Sequence, residues 1–230
     1  MGRRMAITLR DWEMEQFFGK QKKKKSKHVG SVFTDEQDLL QTLINLHSPH
    51  GIELDPMFNK GNFYKTIPKP KYYSDLLPLN DYVPMADATN LPYDDSSINS
   101  MILDPPFLFN IHGVNGIQGK YYSSKTHGIF KNFDELKVTY KGLIKEAYRI
   151  LKHNGVLIFK CQDYTDSKTD LTHCYVWEWA REQGFYIKDL AILYISKGKI
   201  SNGNTTQRHL RKHHTYFYVM IKKRKIKDVE

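Results

Sequence analysis

Asn99-Ser100-Met101-Ile102-Leu103 runs directly into Asp104-Pro105-Pro106-Phe107, and Asp87-Ala88-Thr89-Asn90-Leu91-Pro92 stands upstream of both. The apolar run that stops at an acid and two prolines reads as a buried strand closed by a rigid turn. Proline fixes φ and carries no N–H donor, so two in succession hold the carbonyls of such a turn in place. Asp87 lies 17 residues before Asp104 and follows Tyr82–Ala86, a second candidate strand. Gly51-Ile52-Glu53-Leu54-Asp55 is a third short run that ends on an acid. Ligands of doubly wound sheets sit beyond the carboxyl ends of the strands. Three acids at three strand ends therefore mark one candidate site.

The segments on either side support an α/β sheet. Thr34, three residues before Gln37, has capping-box spacing, and Leu39, Leu40, Leu43, Ile44 and Leu46 follow on one helical face. From Asp134 onward, Leu136, Tyr140, Leu143, Ile144, Ala147, Tyr148 and Leu151 repeat at helical spacing, with a stop expected at His153-Asn154-Gly155. Val156-Leu157-Ile158-Phe159 is apolar throughout, as in a central parallel strand. A further helix is expected over about 171–183, then strands at Tyr186–Ile195 and Tyr216–Ile221 with no helix between them. The reading is a mostly parallel α/β sheet with an antiparallel C-terminal strand pair. Residues 56–81, rich in Pro, Lys and Tyr, carry no clear pattern. Long loops are expected near 108–133 and 196–214, where binding residues often sit.

Composition narrows the partner. The 230 residues are 40% hydrophobic and 13% aromatic, enough for one cored domain, and carry a formal net charge of +10. An excess of this size, with pI about 9.3, suits a polyanion such as nucleic acid. Residues 1–30 read as a basic N-terminal appendage: Lys20–His28 holds six lysines, suited either to a solvated linker or to a phosphate-binding arm. Residues 31–230 then form the folded domain that carries the α/β pattern. Arg208, Arg211, Lys212 and His213, next to Tyr216 and Tyr218, suit phosphate contact and base stacking, and Lys160 falls at the same strand-end edge. Two cysteines, Cys161 and Cys174, lack a CxxC partner, and no His/Asp/Glu group has metal-ligand spacing. No apolar run follows Met1-Gly2-Arg3-Arg4 and no stretch is long enough for a bilayer, so a cytoplasmic protein without membrane contact is expected.

An exocyclic amine on a base has two N–H groups and a lone pair delocalised into the ring. The carboxylate of Asp104 and the carbonyl of Pro105 supply two acceptors at a fixed turn, able to hold both N–H groups and steer the nitrogen toward tetrahedral geometry. Pro106 completes the turn, and Phe107 offers a face for a stacked base.

These motifs resemble the class I, Rossmann-like methyltransferases. In that family a D-A-x-x-L-P segment follows the third strand, and a [DN]-P-P-[FY] turn closes the fourth in amino-methyltransferases acting on N6 of adenine or N4 of cytosine in DNA, and in some RNA enzymes. The resemblance covers about residues 31–222. It implies S-adenosyl-L-methionine as cofactor, Asp87 and Ala88 at the cofactor's adenine, and Asp104–Phe107 at the target base. Asp55-Pro56-Met57-Phe58-Asn59-Lys60-Gly61 is similar to the family's D-P-F-x-G-x-G, with Asn59 where the first Gly is expected. Asn tolerates a left-handed backbone better than most residues. Asp75 stands as the acid for the ribose, and Leu151–Lys160 is similar to the fifth-strand motif. The resemblance thus implies methylation of a base amine, N6 of adenine in DNA ahead of RNA bases or N4 of cytosine. A catalytically inactive nucleic-acid-binding form is the remaining alternative. With little chain left for a target-recognition domain, a homodimer or a partner subunit would supply it.

Overall fold

Ile98–Leu103 forms a strand, β4, with apolar side chains buried on both faces, as its composition requires. The computed structural model describes residues 28–109, 129–165, 169–195, 210 and 212–223. Before β4 come β1 (Val32–Phe33), α1 (Glu36–His47), β2 (Leu54–Asp55) and β3 (Tyr72–Tyr73). After it come β5 (Leu108–Phe109), β6 (Ile129–Phe130), α2 (Phe133–Ile150), β7 (Leu151–Cys161), β8 (Tyr164–Thr165), β9 (Thr169–Asp170), α3 (Thr172–Gln183), β10 (Phe185–Tyr194) and β11 (His214–Lys222).

Seven strands form one sheet in the order β1-β10-β11-β7-β4-β2-β3. β2 pairs in parallel with β3 on one side and with β4 on the other, and β4 pairs in parallel with β7. β11 is antiparallel to both β7 and β10. The chain thus winds outward from β2 to β3, returns to β4 on the opposite side of β2, and winds outward again. That reversal is the topological switch point of a Rossmann-like sheet, and it lies between β2 and β4.

The pleat divides the core. Met101 and Leu103 of β4, Leu157 and Phe159 of β7, and Tyr218 and Met220 of β11 pack under α2 and α3. Their neighbours Ile102, Val156, Ile158, Phe217 and Val219 pack under α1. Between β2 and β3 the described chain has no helix. Pro68 and Pro70 each lack an N–H donor. Aromatic side chains fill the space instead: Phe58 stacks between Tyr64 (5.5 Å between ring centroids) and Tyr73 (4.5 Å).

Three expectations change. The N-cap of α1 is Asp35, not Thr34. Its Oδ1 accepts from the backbone N–H groups of Gln37 (2.8 Å) and Asp38 (2.9 Å), and a charged cap also favours the positive end of the helix dipole. Gln37 instead accepts from the N–H and hydroxyl of Thr66, both at 3.0 Å. α2 ends at Ile150, and Leu151 already pairs with Ile98. His153-Asn154-Gly155 is therefore a bulge inside β7, with Asn154 at φ 63°. A Cβ on Gly155 would lie 2.8 Å from the Lys152 carbonyl oxygen and 3.2 Å from that of Asn99, so the bulge needs glycine. Tyr82–Ala86 forms no full strand: Met85 bridges Asp75 in parallel, and Asn80–Val83 is a turn. The 1–30 segment up to Lys27, and loop residues 110–128 and 196–209, lie outside the described residues.

The turn after Asp87 is locked to α2. Buried Glu146 accepts from the Leu91 N–H (2.7 Å) and from Arg149, which also donates to the carbonyls of Leu91 and Tyr93 and to Asp95. Glu146→Ala leaves the Leu91 N–H without its acceptor and removes one of the two carboxylates that meet the Arg149 guanidinium. A stability loss of about 2–4 kcal/mol is expected in urea unfolding. Asp95→Ala, at a side chain 77% exposed, should cost about 1 kcal/mol or less. Equal losses in the two variants would show that the Glu146 carboxylate does not hold this turn.

Candidate active site

Because β2 and β4 are adjacent and parallel, their carboxyl ends open on the same side, and the chain leaves each on an acid, Asp55 and Asp104. A cavity of about 530 Å³ lies there. Of the residues expected at the site, Pro56, Asn59, Asp75, Asp87, Ala88, Asp104, Pro105, Pro106, Phe107 and Lys160 all line it. Met57 and Thr89, from the same motifs, and Gln162, just after β7 and near Lys160, also line it; Leu76, Phe130, Thr139, Leu143, Ile195 and Thr215, which the sequence reading did not assign to the site, complete the wall.

The DPPF turn is held from beneath. Tyr140, fully buried on α2, donates its hydroxyl to the Pro106 carbonyl (2.9 Å). Its ring is fixed edge-on against Phe159 and Phe130. No donor reaches the Pro105 carbonyl among the described residues. On Asp104, Oδ2 accepts from the Lys160 ammonium (3.1 Å), and the same ammonium donates to Glu36 in the first turn of α1 (2.9 Å). The Lys160 ammonium also lies 5.0 Å from the Phe63 ring and 5.6 Å from the Phe217 ring. Burial pushes the Asp104 carboxyl above its ordinary range, Lys160 opposes that rise, and Glu36 adds to it. Burial alone would favour the neutral amine of Lys160, but the two carboxylates outweigh it and strengthen the ammonium.

The residues expected on the cofactor side have distinct positions. Asp87 closes a turn in which one carboxylate oxygen accepts from the Thr89 N–H (2.8 Å) and hydroxyl (2.7 Å). Asp75 ties together three stretches of the wall: its carboxylate accepts from the N–H groups of Asn59 (2.9 Å) and Leu77 (3.0 Å), and its backbone bridges Met85. Asn59 does adopt a left-handed backbone, φ 49°. Asp55 and Gly61 do not line the cavity. Gly61 sits at φ 71°, and a Cβ there would lie 2.6 Å from the Phe58 ring, so its missing side chain makes room for an aromatic ring of the chain itself. Asp55 is buried behind the wall, accepting from the Tyr64 hydroxyl (2.7 Å) and the Met57 N–H (2.9 Å).

Of the basic cluster, Arg208 and Arg211 lie outside the described residues. Lys212 and His213 are half-buried and do not themselves line the cavity. Gln162 donates its side-chain amide to the His214 carbonyl (2.9 Å), and Ile195 donates its N–H to that of His213 (2.8 Å). Lys160, expected as a nucleic-acid contact, points its ammonium at two carboxylates of the chain itself. No group of three or more His, Cys, Asp or Glu among the described residues is arranged to hold a metal ion, and none of their helices is long and apolar enough to cross a membrane.

No family model and no curated protein matches the chain. Solved structures do match. TTHA0409 from Thermus thermophilus, provisionally assigned as a DNA modification methylase and complexed with S-adenosyl-L-methionine, is 14% identical over 60% of this chain and 54% of its own, with a TM-score of 0.41. TrmN from Thermus thermophilus is 14% identical over 80% of this chain and 48% of its own, at 0.43. A complex of the Haloferax volcanii Trm112 methyltransferase activator with a provisionally assigned methyltransferase is matched at 12% identity over 80% of this chain and 93% of the matched one, at 0.45. The match spans about half the length of the TTHA0409 chain. Fold does not dictate chemistry, so any activity has to be argued from this chain's own residues.

Asp55 provides a test of the site's electrostatics. Burial, with Asp104 and Asp75 nearby, raises its carboxyl from 3.8 to about 7, although the bonds from Tyr64 and Met57 act in the opposite direction. Between those values the folded chain holds a proton that the unfolded chain has released, so stability falls as pH rises from about 4 to about 7. Asn at this position keeps the volume without the charge. Wild type should therefore lose stability relative to Asp55→Asn across that window, by at most about 1.4 kcal/mol per pH unit, and the difference should level off above it. Guanidinium unfolding at a series of pH values checks this; a difference independent of pH would refute the burial assigned to Asp55.

Proposed function

We propose that the chain is an S-adenosyl-L-methionine-dependent methyltransferase acting on an exocyclic base amine of nucleic acid, with N6 of adenine in DNA as its first substrate. One observation carries the reading: a single cavity at the switch point is lined at once by Asp75, Asp87 and Ala88 and by the whole of Asp104–Phe107.

The cavity suits the cofactor. Its volume falls in the range of small-molecule sites, roughly 300–1,000 Å³. Asp75 and Asp87 offer acceptors for sugar hydroxyls and a ring amine, while Ala88, Met57 and Leu143 offer apolar surface for a flat base. Pro56, Met57 and Asn59 serve for the first motif at the wall, with Asp55 and Gly61 supporting them from behind. When bound, the cofactor supplies an electrophilic methyl group on a positively charged sulfur.

The chain's own residues then position the amine. Asp104 and the Pro105 carbonyl accept its two N–H groups, which draws the lone pair out of conjugation and aims it into the cavity. As the nitrogen takes the methyl group, the sulfur–methyl bond would break with the sulfur keeping the electron pair as a neutral thioether; the nitrogen becomes positive, the same two acceptors stabilise that charge, and a proton then leaves to water. Tyr140, by holding the Pro106 carbonyl, fixes the turn so that these acceptors need not reorganise. Phe107 and Phe130 flank the target base. A base inside a duplex cannot reach such a cavity, so the substrate is flipped out or already unpaired.

Phosphate contacts fall to Lys212 and His213, and to Arg208 and Arg211 beyond the described residues, with the lysine-rich 1–30 segment as a further arm. A second copy or a partner subunit completes target recognition, and a cytoplasmic location follows from the nucleic-acid substrate.

Incubation with methyl-labelled cofactor and either duplex DNA, single-stranded DNA or RNA, followed by nucleoside analysis, should give label at N6 of deoxyadenosine. Label confined to RNA would move the substrate to RNA, and label at N4 of cytosine would move it to that base. Asp104→Ala should lower transfer at least about 100-fold, while cofactor affinity stays within about tenfold, or 1.4 kcal/mol. Undiminished turnover in Asp104→Ala would refute the role given to the DPPF turn.

A further inference from the structure

We propose that Lys160 is a positioning residue: the fixed internal counter-ion of Asp104, shared with Glu36, which holds one carboxylate oxygen so that the other is left for the substrate. It is not a phosphate contact.

The geometry supports this assignment from each side. The Lys160 ammonium bonds Asp104 Oδ2 at 3.1 Å and Glu36 Oε1 at 2.9 Å, and its side chain is 14% exposed. Phe63 and Phe217 contribute ring faces at 5.0 and 5.6 Å, so the cation is bounded by two carboxylates and two aromatic rings. An ammonium held in this way is poorly placed to reach a phosphate. Asp104 Oδ1 receives no donor among the described residues, whereas Oδ2 is taken. The division matches what an amine requires: one anchored oxygen to set the plane of the carboxylate, one open oxygen to accept an N–H.

The shared arrangement also balances charge. The groups facing Asp104 are Lys160 from β7, Glu36 from α1 and Asp55 from β2, with Asp75 near enough to act on Asp55. Asp104 and Glu36 draw on one cation, so they compete for it. Removing Lys160 strips Asp104 of its nearest positive charge. Neutralising Glu36 removes a negative neighbour and leaves the ammonium to Asp104 alone. The two changes must therefore move the protonation of Asp104 in opposite directions, whereas a purely structural lysine gives no such opposition.

Carbon-13 carboxyl NMR on aspartate-labelled protein measures this without catalysis, with the Asp104 resonance assigned by its loss in Asp104→Asn. An Asp55→Asn background removes the neighbouring titration. Lys160→Met should raise the Asp104 midpoint by about one pH unit or more, Lys160→Arg should keep it near wild type, and Glu36→Gln should lower it. An unmoved midpoint in Lys160→Met, or shifts of the same sign in Lys160→Met and Glu36→Gln, overturns the assignment. Should Lys160→Met fail to fold, Glu36→Gln decides alone, and an unmoved or raised midpoint in it overturns the assignment.

Two further readouts separate this from neighbouring ideas. The salt dependence of nucleic-acid binding should be the same in wild type and Lys160→Met; a slope smaller by about one would mark a phosphate contact and overturn the proposal. The kinetic consequence rests on the methyltransferase reading: the acid limb of methyl transfer should shift in the same order as the NMR midpoints. If the midpoints shift as stated but wild type transfers no methyl group, the counter-ion assignment stands and the enzymatic reading falls. If wild type transfers methyl groups and the midpoints stay fixed, the reverse holds.

Discussion

Two parallel strands, β2 and β4, lie side by side at the point where the winding of the sheet reverses, and that adjacency governs the rest of the molecule. It brings the carboxylates of Asp55 and Asp104 into one partly sheltered region, with Asp75, two residues beyond β3, close by. Carboxylates do not collect away from water unless something meets each one. Asp55 is met by a tyrosine hydroxyl and a backbone N–H, and burial shifts it toward the protonated form. Asp75 is met by two backbone N–H groups. Asp104 is met by a lysine that another acid shares. Three solutions to the same electrostatic problem leave Asp104 as the member of the set whose charge is balanced by a cation while its side chain still opens on the cavity.

The supports of the site come from the layers covering the sheet. α1 contributes Glu36 from its first turn, so the helix that buries one face of the sheet also sets the charge at the strand ends. α2 contributes Tyr140 under the DPPF turn and Glu146 under the turn that follows Asp87. Helix packing and site geometry are thus one construction. A shift of α2 would move both halves of the cavity wall together.

Much of the sheet could be read from the chain. Val156–Phe159 and the run before Asp104 are apolar on both faces, which only buried strands tolerate, and the helical spacing from Leu136 to Ile150 is unbroken. Boundaries were less legible, because local signals compete. Thr34 and Asp35 can each cap a helix, and the hydrogen bonds of the carboxylate settled it. His153-Asn154-Gly155 has the composition of a helix stop, but Leu151 had already found Ile98 across the sheet, and the same residues became a bulge. Gly61 read as part of a cofactor loop. In the fold its missing side chain makes room for Phe58, a packing relation no spacing could reveal.

The sequence by itself determined which residues could do chemistry: an acid and two prolines after an apolar run fix a rigid pair of acceptors, since proline's restrictions are covalent and local. It also marked Asp87 as an acid at the end of a candidate strand, and Asp87 with Ala88 as part of a segment resembling a family motif, because such a motif is read from adjacent residues alone. Only the tertiary structure decided what surrounds Asp104. Glu36 lies 124 residues from Lys160 in the chain, and Lys160 lies 56 from Asp104. Their meeting depends on strand order and on the packing of α1, and ion pairing between residues so distant has no local signature.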